Sequence, residues 1–230
     1  MRTLVLGDIH GCYQALQAVV AAASLTDDDR LITLGDYIDR GPDSRNVLEW
    51  LIARRKRVAR GNMIALRGNH ELMMLQARAE DSMDMWLSCG GDAALESYGA
   101  PGGAGTLADV PDDHWQFMKY QCRNYFQNRT HFFVHANAYP DVPLEEQPKF
   151  MLYWESFCDP PPHESGKIMV CGHTPQHSGI PRNIGHAVCI DTWVYGKGWL
   201  TCLNVETGFY WQANQRGETR TNWLERAEIE

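Results

Sequence analysis

The strongest constraint on the fold is a pattern that occurs three times in the first third of the chain. An apolar segment runs into a cluster of glycine and charged or polar residues, and an amphipathic segment follows. TLVLGDIHG leads into YQALQAVVAAA, RLITLGDYIDRGPDS into RNVLEWLIA, and MIALRGNHE into LMMLQARAE. This is the βαβ pattern of an α/β fold, in which ligands bind at the carboxyl ends of the strands. We therefore expect the three polar clusters to meet at one edge of a sheet.

The second half of the sequence is rich in predicted strands. THFFVHA, KIMVCGH, HAVCIDTWV, WLTCLNV and FYWQAN carry β-branched and aromatic residues, and the first two runs place His135 and His173 near a strand end. Between the halves, the segment from Met85 to Phe126 is predicted to be a helical insertion near the site. GAPGGAG, residues 99–105, lacks a GxxxxGK[ST] pattern and a preceding strand, so we interpret it as a flexible connection.

Length and charge limit the class of protein. The 230 residues, 44 % of them hydrophobic, predict one domain over 1–214 and a polar tail over 215–230. A formal charge of -8 argues against a nucleic-acid partner, and the basic run 54–57 is interpreted as the solvated end of a helix. No segment is long and apolar enough for a membrane span or an export signal. Seven cysteines without a CxxC pair fit reduced thiols, so we expect a cytoplasmic protein.

The polar residues at the predicted strand ends form one possible metal-binding set. A single histidine at a strand end is usually structural, but several such clusters on one edge indicate a site. The set contains carboxylates, imidazoles and an amide, which suit Mn²⁺, Fe or Zn²⁺. Six potential ligands exceed the three protein ligands of an open zinc site, and a carboxylate can bridge two ions. The six candidate ligands are Asp8, His10, Asp36, Asn69, His135 and His173.

The motifs GDIHG, GDYIDRG, RGNHE, HA and GHT, in this order, resemble those of the calcineurin-like metallophosphoesterases, and in particular the bacterial and phage branch of the phosphoprotein phosphatases. The resemblance implies an αββα sandwich of two mixed β-sheets flanked by helices, with a dinuclear site. It also implies the distribution of the ligands. Asp8, His10 and Asp36 would hold one ion, and Asp36, Asn69, His135 and His173 the other, with Mn²⁺ expected and Fe or Zn²⁺ as alternatives.

Such a site would hydrolyse a phosphate ester directly. Two divalent ions lower the pKa of a bridging water, and the resulting hydroxide attacks phosphorus. The guanidinium of Arg40 matches the phosphate oxygens, and His70 can protonate the departing alkoxide if Asp39 holds and charges its ring. Two other interpretations concern neighbouring residues. Asp39 and Arg40 could form a plain surface pair, and Glu71 is predicted to be a structural partner of Arg67.

Three functions are compatible with these residues. The first is a phosphomonoesterase that acts on phosphorylated protein, as a Ser/Thr or dual-specificity protein phosphatase, or on a small phosphomonoester. The second is a diadenosine polyphosphate hydrolase, because the symmetrical tetraphosphatases share GDIHGCY; those enzymes typically lack aspartate before the arginine of GDxxxRG, so Asp39 favours the monoesterase. The third is a catalytically silent metal-binding scaffold, against which the intact His70, Asp39 and Arg40 argue.

One departure from the phosphoprotein phosphatase pattern concerns phosphate binding. These enzymes usually place a second phosphate-binding arginine just after a tryptophan between the two late histidines. Here Trp154 is followed by Glu155, Ser156 and Phe157. The sequence therefore predicts weak binding of simple monoesters, unless another cation such as Arg182 reaches the phosphate.

Overall fold

The structure is a computed structural model that describes residues 1–80, 82–100 and 103–225. Within these ranges the strands are β1 (Thr3–Leu6), β2 (Arg30–Thr33), β3 (Met63–Ala65), β4 (Tyr125–Gln127), β5 (His131–Val134), β6 (Ile168–Cys171), β7 (Arg182–Asn183), β8 (Ala187–Cys189), β9 (Asp191–Thr192), β10 (Trp199–Asn204), β11 (Phe209–Ala213) and β12 (Thr219–Trp223).

The helices of the same ranges are α1 (Tyr13–Ala22), α2 (Ser44–Arg57), α3 (Asn69–Glu80), α4 (Asp84–Trp86), α5 (Asp92–Tyr98), α6 (Asp112–Gln116) and α7 (Lys149–Tyr153). Two π-helical turns, Leu87–Gly91 and Phe117–Gln121, follow α4 and α6, and a 3₁₀ turn spans Leu107–Asp109. None of the described helices is long and apolar enough to cross a membrane.

The described strands form two mixed sheets. The first sheet has the order β12-β11-β10-β1-β2-β3, with β9 paired to β10, and its β1, β2 and β3 are parallel. The second has the order β4-β5-β6-β8-β7, with β5, β6 and β8 parallel. The first three βα units predicted from the sequence therefore form one half of the first sheet. Their parallel order brings the ends of β1, β2 and β3 to one edge.

Side chains alternate between the two faces of each strand, and each face packs into a different layer of the sandwich. Val5 packs into an apolar layer shared with Phe133 of the second sheet, whereas Leu4 and Leu6 on either side of it pack in the cluster that includes α1 and α2. Successive side chains of a strand point to opposite faces, so a strand covered on both faces is apolar throughout. On the outer side of the second sheet, Phe132 packs with residues of α7. The predicted αββα sandwich is confirmed.

Two peripheral predictions differ from the structure. The predicted helical insertion is helical only as far as the turn that ends at Gln121, after which β4 begins at Tyr125. Within the segment predicted to be a polar tail, β12 pairs with β11, although all of its side chains are exposed. Backbone hydrogen bonds can add such a strand without an apolar face. Residues 226–230 of the predicted tail, and residues 101 and 102 of the predicted flexible connection, lie outside the described ranges.

Candidate metal centre and phosphate site

Five of the predicted site residues share an uncommon backbone conformation. Their φ angles lie in the left-handed region, which is unfavourable for residues other than glycine, and such residues concentrate at functional sites. The angles are 46° at His10, 49° at Asp36, 73° at Asp39, 67° at Arg40 and 64° at His173. All five follow the carboxyl end of a strand, where the sharp turn aims the side chains across the edge of the sheet. Contacts between the clusters confirm the predicted convergence, since Nε2 of His10 lies 3.5 Å from Oδ2 of Asp36 and Nδ1 of His70 lies 2.6 Å from Oδ2 of Asp39.

The first cluster of potential ligand atoms comprises His10, Asp36 and His70, whose atoms lie within 4.8 Å of one another. The Nδ1 atom of His10 lies 3.0 Å from the carbonyl oxygen of Ile38 and donates to it. This hydrogen bond places the ring's lone pair on Nε2, which lies 3.5 Å from Oδ2 of Asp36 and 3.0 Å from Nη1 of Arg40. A histidine anchored through its other ring nitrogen in this way is typical of metal sites.

The second cluster comprises Asp36, His135 and His173, again within 4.8 Å. Oδ1 of Asn69 joins it, at 2.9 Å from Nε2 of His135 and 3.1 Å from Nδ1 of His173. The far nitrogen of His135 is anchored on the carbonyl of Leu34 at 2.9 Å. Lone pairs of nitrogen and oxygen therefore converge on one point, an arrangement that a cation would stabilise.

Asp36 contributes to both clusters through different oxygens. Its Oδ2 lies 3.5 Å from Nε2 of His10, and its Oδ1 lies 3.4 Å from Nε2 of His135. The carboxylate is almost fully buried between the two histidines. This is the geometry expected of a bridging carboxylate between two ions.

Asp8 lies beside these clusters but belongs to neither of them among the described residues. Its Oδ2 accepts from the backbone N–H of His173 at 2.9 Å, while its buried Oδ1 has no hydrogen-bond partner within the described part of the chain. Burial, reinforced by the carboxylates of Asp191 and Asp36, raises the pKa of Asp8 well above its usual value. A buried carboxylate with an unpaired oxygen is costly unless a positive charge compensates it. The surroundings of Asp8 therefore fit a bound cation.

The protonation of the histidines also fits metal binding. Burial lowers the pKa of His10 well below its usual value and that of His173 to a smaller extent. Burial likewise lowers the pKa of His135 to about 4. All three rings are therefore neutral near pH 7, which is the form that binds a metal. Together with the carboxylates and Asn69, they make the borderline donor set that the sequence predicted.

His70 has the opposite electrostatic environment. Its Nδ1 lies 2.6 Å from Oδ2 of Asp39, and both side chains are buried. Burial opposes a charged ring, but the carboxylates of Asp36 and Asp39 raise the pKa of His70 above its usual value. The indole of Trp86 donates to both oxygens of Asp39, at 3.0 and 2.9 Å. The interpretation of Asp39 as part of a surface pair with Arg40 is therefore wrong.

Arg40 lies over the first cluster. Its Nη1 is 3.0 Å from Nε2 of His10, and its guanidinium carbon lies 4.5 Å from the centre of the Tyr195 ring. The backbone N–H of Arg40 donates to the carbonyl of Gly90, at 2.9 Å. A guanidinium stacked on an aromatic ring is restricted in orientation while its N–H groups remain available. This position beside the candidate metal ligands suits an oxyanion-binding group.

Glu71 fixes the loop that carries Asp36. Its carboxylate accepts from three backbone N–H groups, those of Asp36 at 3.0 Å, Tyr37 at 2.7 Å and Gly68 at 2.8 Å. The structural role predicted for Glu71 is confirmed, but its suggested partner Arg67 is wrong, because the Arg67 guanidinium instead donates to backbone carbonyls of the insertion. Those carbonyls belong to Met118, Lys119 and Cys122.

The stretch that lacks the second arginine lies next to the second cluster. Nε2 of His173 donates to the carbonyl of Trp154, at 3.1 Å. Two residues further along, Ser156 is exposed. Arg182 forms an ion pair with Asp159, and its guanidinium lies 5.7 Å from the ring centre of Phe157. Binding of phosphate by Arg182 stays a prediction.

Three residues of the site were not predicted from the sequence. Asp191 is a buried carboxylate near Asp8, and the end of the strand-like run HAVCID could have indicated it. Tyr195 packs edge-on against His10, with ring centres 4.8 Å apart, and supports Arg40. Trp86 comes from the helical insertion, and no local pattern links it to Asp39.

Comparison with known proteins identifies the relatives of this chain. The profile of the calcineurin-like phosphoesterase family matches residues 1–199. Serine/threonine-protein phosphatase 1 of Salmonella typhimurium is 34% identical over 152 residues, which cover 65% of this chain and 64% of that protein. The symmetrical bis(5'-nucleosyl)-tetraphosphatase of Erwinia tasmaniensis is 40% identical over 81 residues, 34% of this chain and 27% of that protein. The chain thus spans less than two thirds of the length of these curated relatives.

Among solved structures, the crystal structure of a metallophosphoesterase from Sphaerobacter thermophilus shares the fold. Its TM-score is 0.54 at 17% identity, over 98% of this chain and 88% of that chain. In this chain, two packed mixed sheets carry the His/Asp clusters that could hold metal ions. The chain belongs to the calcineurin-like phosphoesterase family.

Proposed function

We propose that this protein is a phosphomonoesterase that removes phosphate from serine and threonine side chains of proteins. The observation that carries the proposal is the buried pair of His70 and Asp39, with Nδ1 and Oδ2 2.6 Å apart. Alkoxide leaving groups of serine and threonine need a proton in the transition state, and a positioned imidazolium can give it. The relative from Salmonella typhimurium, which is named a serine/threonine-protein phosphatase, supports the same substrate class.

The metal ligands in this proposal are the six residues predicted from the sequence. Asp8, His10 and Asp36 would hold the first ion, and Asp36, Asn69, His135 and His173 would hold the second, with Mn²⁺ as the proposed metal. When bound, two divalent ions supply an activated water and neutralise charge on the phosphate. The anchored rings of His10 and His135 keep their ligand nitrogens in place without reorganisation.

Three side chains, those of His70, Asp39 and Arg40, carry out proton transfer and phosphate binding in this proposal. His70 keeps one proton on Nδ1 for Asp39, so its Nε2 proton is the one transferred to the leaving oxygen. Arg40 binds the phosphate oxygens, since its guanidinium lies over the Tyr195 ring, 4.5 Å from the ring centre, beside the first cluster. Charge develops on those oxygens as the ester bond breaks, and a preorganised guanidinium stabilises it.

A second candidate is hydrolysis of diadenosine tetraphosphate, which the match to the Erwinia tasmaniensis tetraphosphatase favours. The leaving group of diadenosine tetraphosphate is a nucleotide phosphate, which departs readily without a general acid. Hydrolysis of phosphoserine and phosphothreonine therefore requires the His70–Asp39 pair, whereas hydrolysis of the dinucleotide does not.

A kinetic panel with Mn²⁺-supplemented protein tests the proposal. The substrates are peptides with phosphoserine, phosphothreonine or phosphotyrosine, and diadenosine tetraphosphate. We expect the highest kcat/KM for the first two peptides, with a large loss in Asp39→Asn. Faster cleavage of the dinucleotide, with little effect of Asp39→Asn, would establish the second candidate. No turnover of any substrate would favour the silent scaffold.

A further inference from the structure

Trp86 makes a contact that the reaction described above does not use. Its side chain is almost fully buried, at 1 % exposure, in the insertion between the two halves of the fold. The indole N–H lies 3.0 Å from Oδ1 and 2.9 Å from Oδ2 of Asp39. Oδ2 also receives Nδ1–H of His70. Within the described residues, the indole is the only hydrogen-bond partner of Oδ1.

We propose that Trp86 is a positioning residue that orients the Asp39 carboxylate toward His70, so that the insertion controls protonation of the leaving group. The inference rests on the proposed function and deepens it. The terminal torsion of an aspartate side chain has broad minima, so one hydrogen bond from His70 does not fix it. A donor that contacts both oxygens defines the carboxylate plane and directs Oδ2 at Nδ1. Without the indole N–H, Oδ1 would be a buried charged oxygen without a partner.

The local chain is shaped to admit this indole. A β-carbon built on Gly91 would lie 2.5 Å from Cε2 of Trp86, so only glycine leaves room for the ring at this distance. The neighbouring Gly90, at φ 98°, accepts through its carbonyl from the N–H of Arg40 at 2.9 Å. The same turn of the insertion therefore contacts both Asp39 and Arg40. The insertion supports two groups of the proposed reaction from one short segment.

The test compares Trp86→Phe with a matched control, Trp115→Phe. Trp115 is a buried tryptophan of the same insertion, but its indole donates to the carbonyl of Val110, at 3.2 Å. Turnover of a phosphoserine peptide and of p-nitrophenyl phosphate is measured with Mn²⁺, together with metal content and thermal unfolding. We expect Trp86→Phe to reduce kcat for the phosphopeptide by about 10- to 100-fold, as for other groups that support an active-site residue. The aryl ester, whose leaving group needs little protonation, should lose far less.

A double-mutant cycle separates positioning from general stability. If Trp86 acts through Asp39, Trp86→Phe should cause no further loss of kcat in an Asp39→Asn background, because the oriented group is already gone. Additive losses of kcat in the double variant would overturn the proposal. So would equal losses of kcat on both substrates in Trp86→Phe, which is the pattern expected of the control Trp115→Phe. Where Trp86→Phe does not fold, Trp86→benzothienylalanine keeps the bicyclic shape without the N–H and is judged by the same criteria. Absence of turnover in the wild-type protein would overturn the proposed function and this inference together.

Discussion

Gly172 lies so close to Asp8 that a β-carbon built on its backbone would be 1.9 Å from Oδ1 of the carboxylate. Gly172→Ala should therefore displace Asp8, although the substitution is chemically small. We expect the protein to lose affinity for one of two divalent ions by about 10- to 100-fold, the range seen when a metal ligand is disturbed indirectly. Metal content after equilibration with limiting Mn²⁺ measures the loss.

Gly103→Ala is the control for that substitution, since among the described residues a β-carbon there would meet only the carbonyl oxygen of Ala100, at 3.9 Å. It should bind metal as the wild-type protein does. Two ions per chain in Gly172→Ala, at wild-type affinity, would show that Asp8 is not a ligand.

Substitution of His70 and Asp36 should separate proton transfer from metal binding. His70→Asn should reduce kcat for a phosphoserine peptide by about 10²- to 10⁴-fold, the range for a lost general acid, while metal content is retained. Asp36→Asn should instead reduce metal content, because its two oxygens face different histidines. Kinetics and metal analysis of both variants test this pair. An equal loss for alkyl and aryl esters in His70→Asn would refute the role of acid.

Restoring the missing arginine should strengthen phosphate binding. Ser156 is exposed in the stretch whose Trp154 carbonyl accepts from His173. We expect a KM for simple monoesters near or above ~1 mM in the wild-type protein. Ser156→Arg combined with Glu155→Asn should raise kcat/KM by the equivalent of roughly 1.5 to 3 kcal/mol at best, the contribution of one charge-assisted hydrogen bond. Glu155→Asn alone is the control, and a micromolar KM in the wild type would contradict the prediction.

The Arg2–Asp29 pair should make stability depend on pH. Asp29 accepts from Arg2 at 2.9 and 2.6 Å and from Thr26, and the guanidinium of Arg2 holds the pKa of Asp29 well below its usual range. The stabilisation is therefore complete above the unfolded pKa, near ~3.9, and declines as pH falls toward the lower folded value. At pH 7, Asp29→Asn should reduce the free energy of unfolding by roughly 1–2 kcal/mol, because the partly exposed Arg2 is screened by water.

Urea unfolding of the wild type and of Asp29→Asn between pH 7 and pH 2 measures this dependence. The difference between them should be constant down to about pH 4 and shrink below it. Glu49→Gln, which removes an exposed pair with Arg45, is the control and should change stability little. A difference that grows as the pH falls would contradict the assignment.

The sequence predicted the parts of the site that belong to strand ends. Asp8, Asp36 and Asn69 each follow an apolar run, so the edge on which they meet follows from the order of strands and helices. The residues that orient them were less predictable. Glu71 was assigned to Arg67, its neighbour in the motif, whereas its partners are backbone N–H groups of another loop. Such contacts depend on three-dimensional closure and leave no periodic signal.

A second kind of error concerned the solvent exposure of residues, which the sequence pattern did not predict correctly. Arg54 was interpreted as part of a solvated helix end, but its side chain is 1 % exposed and donates to the carbonyl of Thr26. The polar segment that forms β12 gave no strand signal, because all five of its residues are largely exposed and pairing with β11 uses backbone groups. Hydrophobic patterning detects a face that is covered, so it does not detect either case.

The proposed ligands come from both halves of the sandwich: Asp36 and Asn69 follow strands of the first sheet, while His135 and His173 follow strands of the second. A chain cut between Asn69 and His135 would give two fragments, each with an incomplete set for the second ion. Activity recovered on mixing them would report reassembly of the two sheets, with Mn²⁺ as the agent that joins the fragments. The protein could in this way be divided into two fragments that recombine only when metal is bound.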